Sequence, residues 1–502
     1  MGDMISSAQG ILDGLDETQR AAATATDGPV RIIAVAGAGK TRTITRRIAY
    51  ACASGRWEPS RALAVTFSVK AAAEMRSRLT ALGIGDSVTA ATFHSAALRQ
   101  LRSVWPDICE APFPRLVKDP RELVARGIRR VSSNDQFSDL EVRDIQAEIN
   151  WAKVSLIAPA DYPRVCAATH RQPPAAMDVT RFCDTYTAYE QEKTSRGEID
   201  FDDILLVVCH ILDDFEEAAA SIRTTIGWLT VDEYQDISPL QHRLMTRWLD
   251  GNRNVCVVGD PAQTIYSFAG ASSYDLLAFG DEFAPLSADI NLSTDYRSTP
   301  NVVACANRVL SRAEQREDYL RLQPVRGKGR RVLRTAFDDD DQEAQGIAAR
   351  IERMITQGAD PADIAILTRI NAQQRLICRE LKGRGLRFRV RRDASWQGSE
   401  IDEDSQARQA MLESMGLGAD AHGVTISTIH AAKGLEFKHV FIVGCSEGLM
   451  PFGSPGSGDE LEEERRLMYV GVTRAEDTLN LSYARRKEGT SGILRSPSRF
   501  LA

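Results

Sequence analysis

The sequence has no apolar run long enough to span a bilayer and no basic-then-apolar leader at its start, so neither a membrane segment nor a signal peptide is expected. Cysteine is sparse and unpaired. The nine cysteines, at 52, 109, 166, 183, 209, 256, 305, 378 and 445, include no Cys-x-x-Cys spacing, which argues against a zinc site or disulfide framework and for a reducing cytoplasm. Basic residues are not in excess either: the formal net charge is −7, so a nucleic-acid partner would need a local basic or aromatic groove. No constellation of carboxylates or histidines reads as a nuclease. What the chain does have is length. At 502 residues it exceeds one ordinary core, and 43% hydrophobic with 26% charged residues are globular proportions, so several domains are expected.

The densest local signal is Ala36-Gly37-Ala38-Gly39-Lys40-Thr41. It follows the apolar run Val30–Val35 and opens a helix-like stretch from Thr41 to Ile48. Strand, small-residue loop and Lys-Thr at a helix start are the layout of a phosphate-binding loop. Gly37 and Gly39 let backbone N–H groups converge on phosphate oxygens, and the helix N-terminus adds partial positive charge. Lys40 would reach the β- and γ-phosphates of a nucleoside triphosphate, and Thr41 would hold Mg²⁺. The first glycine of the strict pattern is replaced by Ala34.

Further apolar runs at 61–67, 226–231 and 254–259, with an Ala-rich helical stretch from Val69 to Leu82, predict a parallel α/β sheet whose carboxyl edge carries the polar residues. The run at 226–231 ends in Asp232-Glu233. After a phosphate loop such a pair suits phosphoryl transfer, with Asp232 holding Mg²⁺ through water and Glu233 orienting or deprotonating the attacking water.

These residues are part of a longer series. Val231–Asp236 (Val-Asp-Glu-Tyr-Gln-Asp) resembles the second motif of the UvrD/PcrA/Rep helicases of superfamily 1A. Leu15–Arg20 is similar to their glutamine motif, Ala64–Met75 to motif Ia and Thr92-Phe93-His94 to motif Ib. Gly259–Phe268 resembles motif III, Asp295–Ser298 motif IV, Thr428–Phe437 motif V and Glu462–Ala475 motif VI. The wording around Thr92 and Asp260 is most similar to actinobacterial members. The resemblance implies two RecA-like cores with parallel sheets and ATP in the cleft between them. Gln19 would read adenine, with Arg42 and Tyr296 on either side of the ring, and Ala36 to Thr41 would cradle the phosphates. Gln263 would touch the γ-phosphate, Arg297 and Arg474 would act as arginine fingers, and Glu436 would contact the ribose. On the DNA side, Phe67, Tyr266 and Phe268 would be stacking platforms, while Thr66, Thr92, His94, Thr428 and His430 would bond phosphates. Arg465 and Arg466, in a Glu-rich helix, read as structural ion pairs.

The pattern has departures. Ala269 stands where the family has an arginine after the aromatic of motif III, Val35 replaces a glycine, and Ser68-Val69 replace a more polar pair. The expected organisation is a first core at 1–98 and 197–290 with a helical insertion at 99–196. The second core would comprise 291–391 and 424–502, with only a short linker at 392–423 where the family carries a mobile domain. Arg384–Arg392 reads as a strand with one basic face. The chain ends at Phe500-Leu501-Ala502, so no partner-binding tail is expected. The function implied is an ATP-dependent 3′→5′ translocase or helicase acting on single-stranded and 3′-tailed duplex DNA, in repair or recombination. The alternative from another class is an ATP-switched DNA clamp or assembly factor with little unwinding. A metabolic P-loop kinase fails on length and on the motifs of the second core.

Overall fold

The computed structural model describes residues 8–85, 87–132, 137–391, 422–487 and 494–501. Two six-stranded sheets, each wholly parallel, organise the chain as mixed α/β with two RecA-like cores. In spatial order the first contains Thr89–Thr92, Ala62–Thr66, Trp228–Val231, Val255–Gly259, Val30–Ala34 and Ala288–Leu292. The second runs Leu333–Phe337, Ala475–Ala484, Phe437–Ile442, Ile364–Thr368, Val424–Thr428 and Phe388–Val390. Central strands such as Ala62–Thr66, Val255–Gly259 and Ile364–Thr368 are buried at every position, as strands covered by helices on both faces must be.

The expected strands at 61–67, 226–231 and 254–259 form Ala62–Thr66, Trp228–Val231 and Val255–Gly259. The Ala-rich stretch is the helix Val69–Ala81, capped by Ser68 Oγ, which accepts from Ala71 N at 3.1 Å. The second core's basic run gives the edge strand Phe388–Val390, with Arg389 Nε donating to Thr425 Oγ1 at 3.0 Å.

Between the strands at 89–92 and 228–231 the chain makes a helical excursion. Helices Pro120–Val131, Asp139–Val154, Tyr162–Thr169 and Val179–Ser195 surround their own core of Leu123, Ile145, Ile149, Tyr162, Phe182 and Tyr189. Its stem is a parallel pairing of Arg115-Leu116 with Glu198-Ile199. The helix Phe93–Ile108 runs across the expected boundary at 98, and its Leu98, Leu101 and Val104 pack in the first core. The strand Ala288–Leu292 likewise extends across 290. At the base of the excursion, Lys153 and Lys193, each with 2% of its side chain exposed, both lie 2.6 Å from Asp200 Oδ2. Lys193 also reaches Asp203 at 2.6 Å, and Tyr189 donates to Asp200 at 2.8 Å. Asp200 is the N-cap of the first-core helix Phe201–Asp214, so this charge cluster pins the excursion to the first core. The expected linker at 392–423 lies outside the described residues except for its last two positions. Among the described residues no helix is long and apolar enough to cross a membrane.

Candidate active site and nucleic-acid interface

The loop after Val30–Ala34 turns through Gly37 and Gly39, at φ +77° and +75°, before the helix Lys40–Ala53. Only glycine takes this left-handed backbone without strain. A Cβ on Gly37 would stand 2.2 Å from Asp295 Oδ1, and one on Gly39 would stand 3.0 Å from Gln19 Nε2. Ala36 and Ala38 are buried beside these glycines, and Thr41 is half-buried one residue into the helix. Gln19 is itself tied to the loop: its amide donates to the Ala38 carbonyl at 2.9 Å and accepts from Asp16 N at 3.2 Å.

Opposite the loop, Trp228–Val231 delivers Asp232 and Glu233 to the sheet's carboxyl edge. Lys40 Nζ lies 3.5 Å from Glu233 Oε2. Glu233 occupies a left-handed backbone at φ 52°, an uncommon conformation for a side-chain-bearing residue and one that concentrates at functional sites. Burial opposes charge on both partners, yet the neighbouring carboxylates Glu233, Asp260 and Asp232 hold Lys40 above its ordinary pKa. Glu233 is driven down by Lys40 and Lys433 against the same burial. Asp232, 4% exposed, is pushed up by burial and by the negative charge of Glu233. An acidic pair with surplus negative charge and a threonine hydroxyl at the helix start is the hard oxygen donor set that suits Mg²⁺. Gln235 joins the group, donating to Glu233 Oε2 at 2.6 Å and to Asp236 Oδ2 at 3.0 Å while accepting from Asp260 N at 3.0 Å. Gln263 donates to Asp260 Oδ2 at 2.7 Å.

The second core closes the cleft. Tyr296 N donates to the Gly37 carbonyl at 3.0 Å, so the motif IV segment rests on the glycine loop. Several side chains assigned to the nucleotide are bonded within the protein. Arg297 pairs with Glu436, and the Tyr296 hydroxyl donates to Asp16. Arg42 donates to the Gly14 carbonyl at 3.0 Å. Arg474 is buried, donating to the Val470 and Leu435 carbonyls at 3.0 and 3.2 Å. Burial, then the Arg297 charge, lowers its pKa to about 10. Arg465 does pair with Glu462 at 3.0 Å. Arg466 instead donates to the Thr264 carbonyl of the first core at 2.7 Å, correcting its reading as an ion pair.

Where the two cores meet at the carboxyl edge, aromatics gather. Phe67 and Tyr266 stack with centroids 5.3 Å apart and planes 13° from parallel. Phe268 and His430 each sit edge-on or tilted against Tyr266, and Phe268 is 48% exposed. Tyr266 itself is buried, its hydroxyl donating to the His430 carbonyl at 3.2 Å, so here it is an underlay beneath Phe268 and not an open platform. His430 is held neutral: burial first, then Arg369 and Lys433, lowers its pKa to about 3. Thr428 Oγ1 accepts from Ala431 N and Thr92 Oγ1 from Ser95 N, both as local caps, while the buried Thr66 hydroxyl lacks a bonding partner among the described residues. His94 stacks at 3.8 Å on Phe201, which is 41% exposed. Phe201 is not among the expected interface residues. Its local sequence gives no signal, since Phe93 and Tyr162 likewise open helices and are buried.

The family profile described as UvrD/REP helicase N-terminal domain matches residues 15–284, and the UvrD-like helicase C-terminal domain matches 290–396 and 399–486. The chain belongs to the UvrD-like helicase family. With that membership it is an ATP-hydrolysing enzyme. It is similar to the ATP-dependent DNA helicase UvrD2 of Mycobacterium tuberculosis, 37% identical over 578 aligned positions that span 98% of this chain and 81% of the relative. The ATP-dependent DNA helicase PcrA of Bacillus subtilis is 27% identical over 644 positions, spanning 98% of this chain and 86% of the relative. Both alignments are longer than the 502 residues of this chain, so the relatives carry residues that it lacks. The C-terminal match parts between 396 and 399, within the stretch expected to be a shortened linker.

Proposed function

We propose that the protein is an ATP-driven translocase on single-stranded DNA that moves 3′→5′ and opens 3′-tailed duplexes, working in the cytoplasm in DNA repair or recombination. The observation that carries this reading is that Lys40 and Glu233, 3.5 Å apart, lie within electrostatic reach of an arginine from the other core. Arg474 acts electrostatically on both of them, and Arg297 lies beside Arg474. A site whose two halves come from two cores changes its geometry when the cores move, and hydrolysis can then be coupled to motion.

In this reading Ala36–Thr41 cradle the phosphates and Lys40 leaves Glu233 for the β- and γ-oxygens. Glu233 then accepts a proton from the attacking water, and Gln263 turns from Asp260 to the γ-phosphate. Thr41 and Asp232 would hold Mg²⁺, which when bound draws charge from the transferring phosphoryl group. Arg297 exchanges Glu436 for the phosphate, freeing Glu436 for the ribose. Gln19, Arg42 and Tyr296 frame the base. The DNA would cross the carboxyl edge over Phe67, Phe268 and Phe201, with Tyr266 beneath, and Thr66, Thr92, His94, Thr428 and His430 towards its phosphates. Stacking platforms serve any base, as a translocase requires.

Strand displacement with 3′- and 5′-tailed duplexes tests the polarity. Unwinding confined to the 3′-tailed substrate is expected, and activity confined to the 5′-tailed substrate would sink it. ATPase stimulated by single strands without any displacement or directional streptavidin removal would favour the clamp instead.

A further inference from the structure

Lys433 lies one residue beyond the turn His430–Ala432 of the second core, yet its side chain is bonded entirely into the first. Its ammonium donates to the Asp236 carboxylate and to the Gln263 carbonyl, the latter at 2.5 Å, and it sits 5.0 Å above the Tyr266 ring. Only 9% of the side chain is exposed. From Asp236 the bonding continues without a break: Gln235 Nε2 is shared between Asp236 and Glu233. From Tyr266 it continues outward, through the stack on Phe67 and the edge contact with Phe268. One ammonium therefore touches both the carboxylate network of the cleft and the aromatic cluster of the DNA-facing edge.

The segment it grips is held by the second core along its length. Besides Lys433 on Gln263, Arg466 bonds the Thr264 carbonyl, Tyr266 bonds the His430 carbonyl, and Ser267 N donates to Glu463 at 3.2 Å. Gln263–Ser267 thus belongs to the first core by chain order, while Gln263, Thr264, Tyr266 and Ser267 are each bonded to the second. Among these contacts, Lys433 is the one that also reaches the carboxylate network beside Glu233.

We propose that Lys433 is the positioning residue through which DNA stacked at the carboxyl edge sets the orientation of Glu233 for hydrolysis. A base seated on Phe268 and Phe67 shifts the Tyr266 ring, the ammonium resting on that ring moves with it, and Asp236 and Gln235 re-aim the Glu233 carboxylate. The inference rests on the reading of this edge as the DNA path.

The test measures ATPase of the full chain with and without oligo-dT for wild type, Lys433→Ala and Lys433→Arg, alongside oligo-dT affinity by fluorescence anisotropy. The stimulated-to-unstimulated kcat ratio of Lys433→Ala is expected to fall at least ten-fold. KM for ATP and oligo-dT affinity should each change less than three-fold, and Lys433→Arg should recover most of the ratio. Asp236→Asn should reproduce the loss, and the double variant should be no worse than either single one, because both lie on one path. A ratio within two-fold of wild type in Lys433→Ala overturns the proposal. So does an equal loss of stimulated and unstimulated turnover, which would mark a purely structural role. A wild type that oligo-dT does not stimulate would count against the DNA reading itself, a different result from a Lys433-specific failure. If Lys433→Ala does not fold, the decision passes to Lys433→Arg and Asp236→Asn: an unchanged ratio in Asp236→Asn overturns the proposal.

Discussion

The Glu233 carboxylate shares one oxygen between two donors, Lys40 Nζ at 3.5 Å and Gln235 Nε2 at 2.6 Å. The longer contact is the ionic one, so Lys40 is the partner free to leave for a phosphate while Gln235 keeps Glu233 aimed. Glu233→Gln preserves shape and removes the proton acceptor. Turnover should fall by at least ~100-fold, the lower range for a positioned general base, with ATP affinity by fluorescent-analogue titration nearly unchanged. Lys40→Ala should abolish both turnover and that affinity. Retained hydrolysis in either variant would remove these residues from the chemistry.

Exposure separates the aromatic candidates. Phe268 presents nearly half its surface, whereas Tyr266 is buried, with Phe67 stacked on its ring and the Lys433 ammonium 5.0 Å from the ring centre. Phe268→Ala should therefore weaken oligo-dT binding by about 1–3 kcal/mol, roughly 5- to 150-fold, with no loss of thermal stability. Tyr266→Ala should lower the melting temperature as well, because it removes the ring from between the cores. Phe201→Ala should act as Phe268→Ala does, by removing the ring that backs His94. Equal affinities for Phe268→Ala and wild type, measured by anisotropy, would mean that the DNA takes another path.

Much of this architecture is legible in the amino-acid sequence, for physical reasons. Continuous apolar runs ending in Asp232-Glu233 or Gly259-Asp260 suit buried parallel strands, and their polar ends then line one edge. The tight loop from Ala36 to Lys40 is readable because Gly37 and Gly39 satisfy a backbone requirement that few residues can meet. The illegible parts depend on distant packing. Nothing local distinguishes Tyr266 from Phe268; burial by Phe67, far earlier in the chain, makes the difference. Arg465 and Arg466 are neighbours on one helix, and helical geometry sends one to Glu462 and the other across the cleft to Thr264. The boundary at 98 falls inside a helix because Leu98, Leu101 and Val104 keep one periodicity through it.

The charge cluster under the helical excursion yields a stability prediction. Lys153 and Lys193 neutralise Asp200 and Asp203, with Glu190 also in reach of both lysines. Glu190, Asp200 and Asp203 alone would resemble a cation site, but two ammonium groups already fill that role. Lys193→Met removes one of them and leaves buried carboxylates short of positive charge, a loss worth about 3–5 kcal/mol for a broken buried pair. Urea unfolding should show an early transition of the excursion, with the first core melting later. A variant that unfolds like wild type would show that the pair contributes no net stability.

Acidification should act through His430. Burial, with Arg369 and Lys433 nearby, holds its folded pKa near 3, below the 6.5 of an unburied imidazole. Between those values the unfolded chain binds a proton that the folded chain does not, so this residue's contribution to stability is fully present above pH 6.5 and declines as pH falls towards 3. From about pH 7.5 to about 5.5 the expected loss is roughly 1.4 kcal/mol. His430→Gln cannot take up that proton, and its melting temperature should fall less over the same interval than that of wild type. Parallel pH profiles for the two proteins would mean that His430 is protonated in the folded state, placing a cation against Lys433 and Tyr266 at the seam.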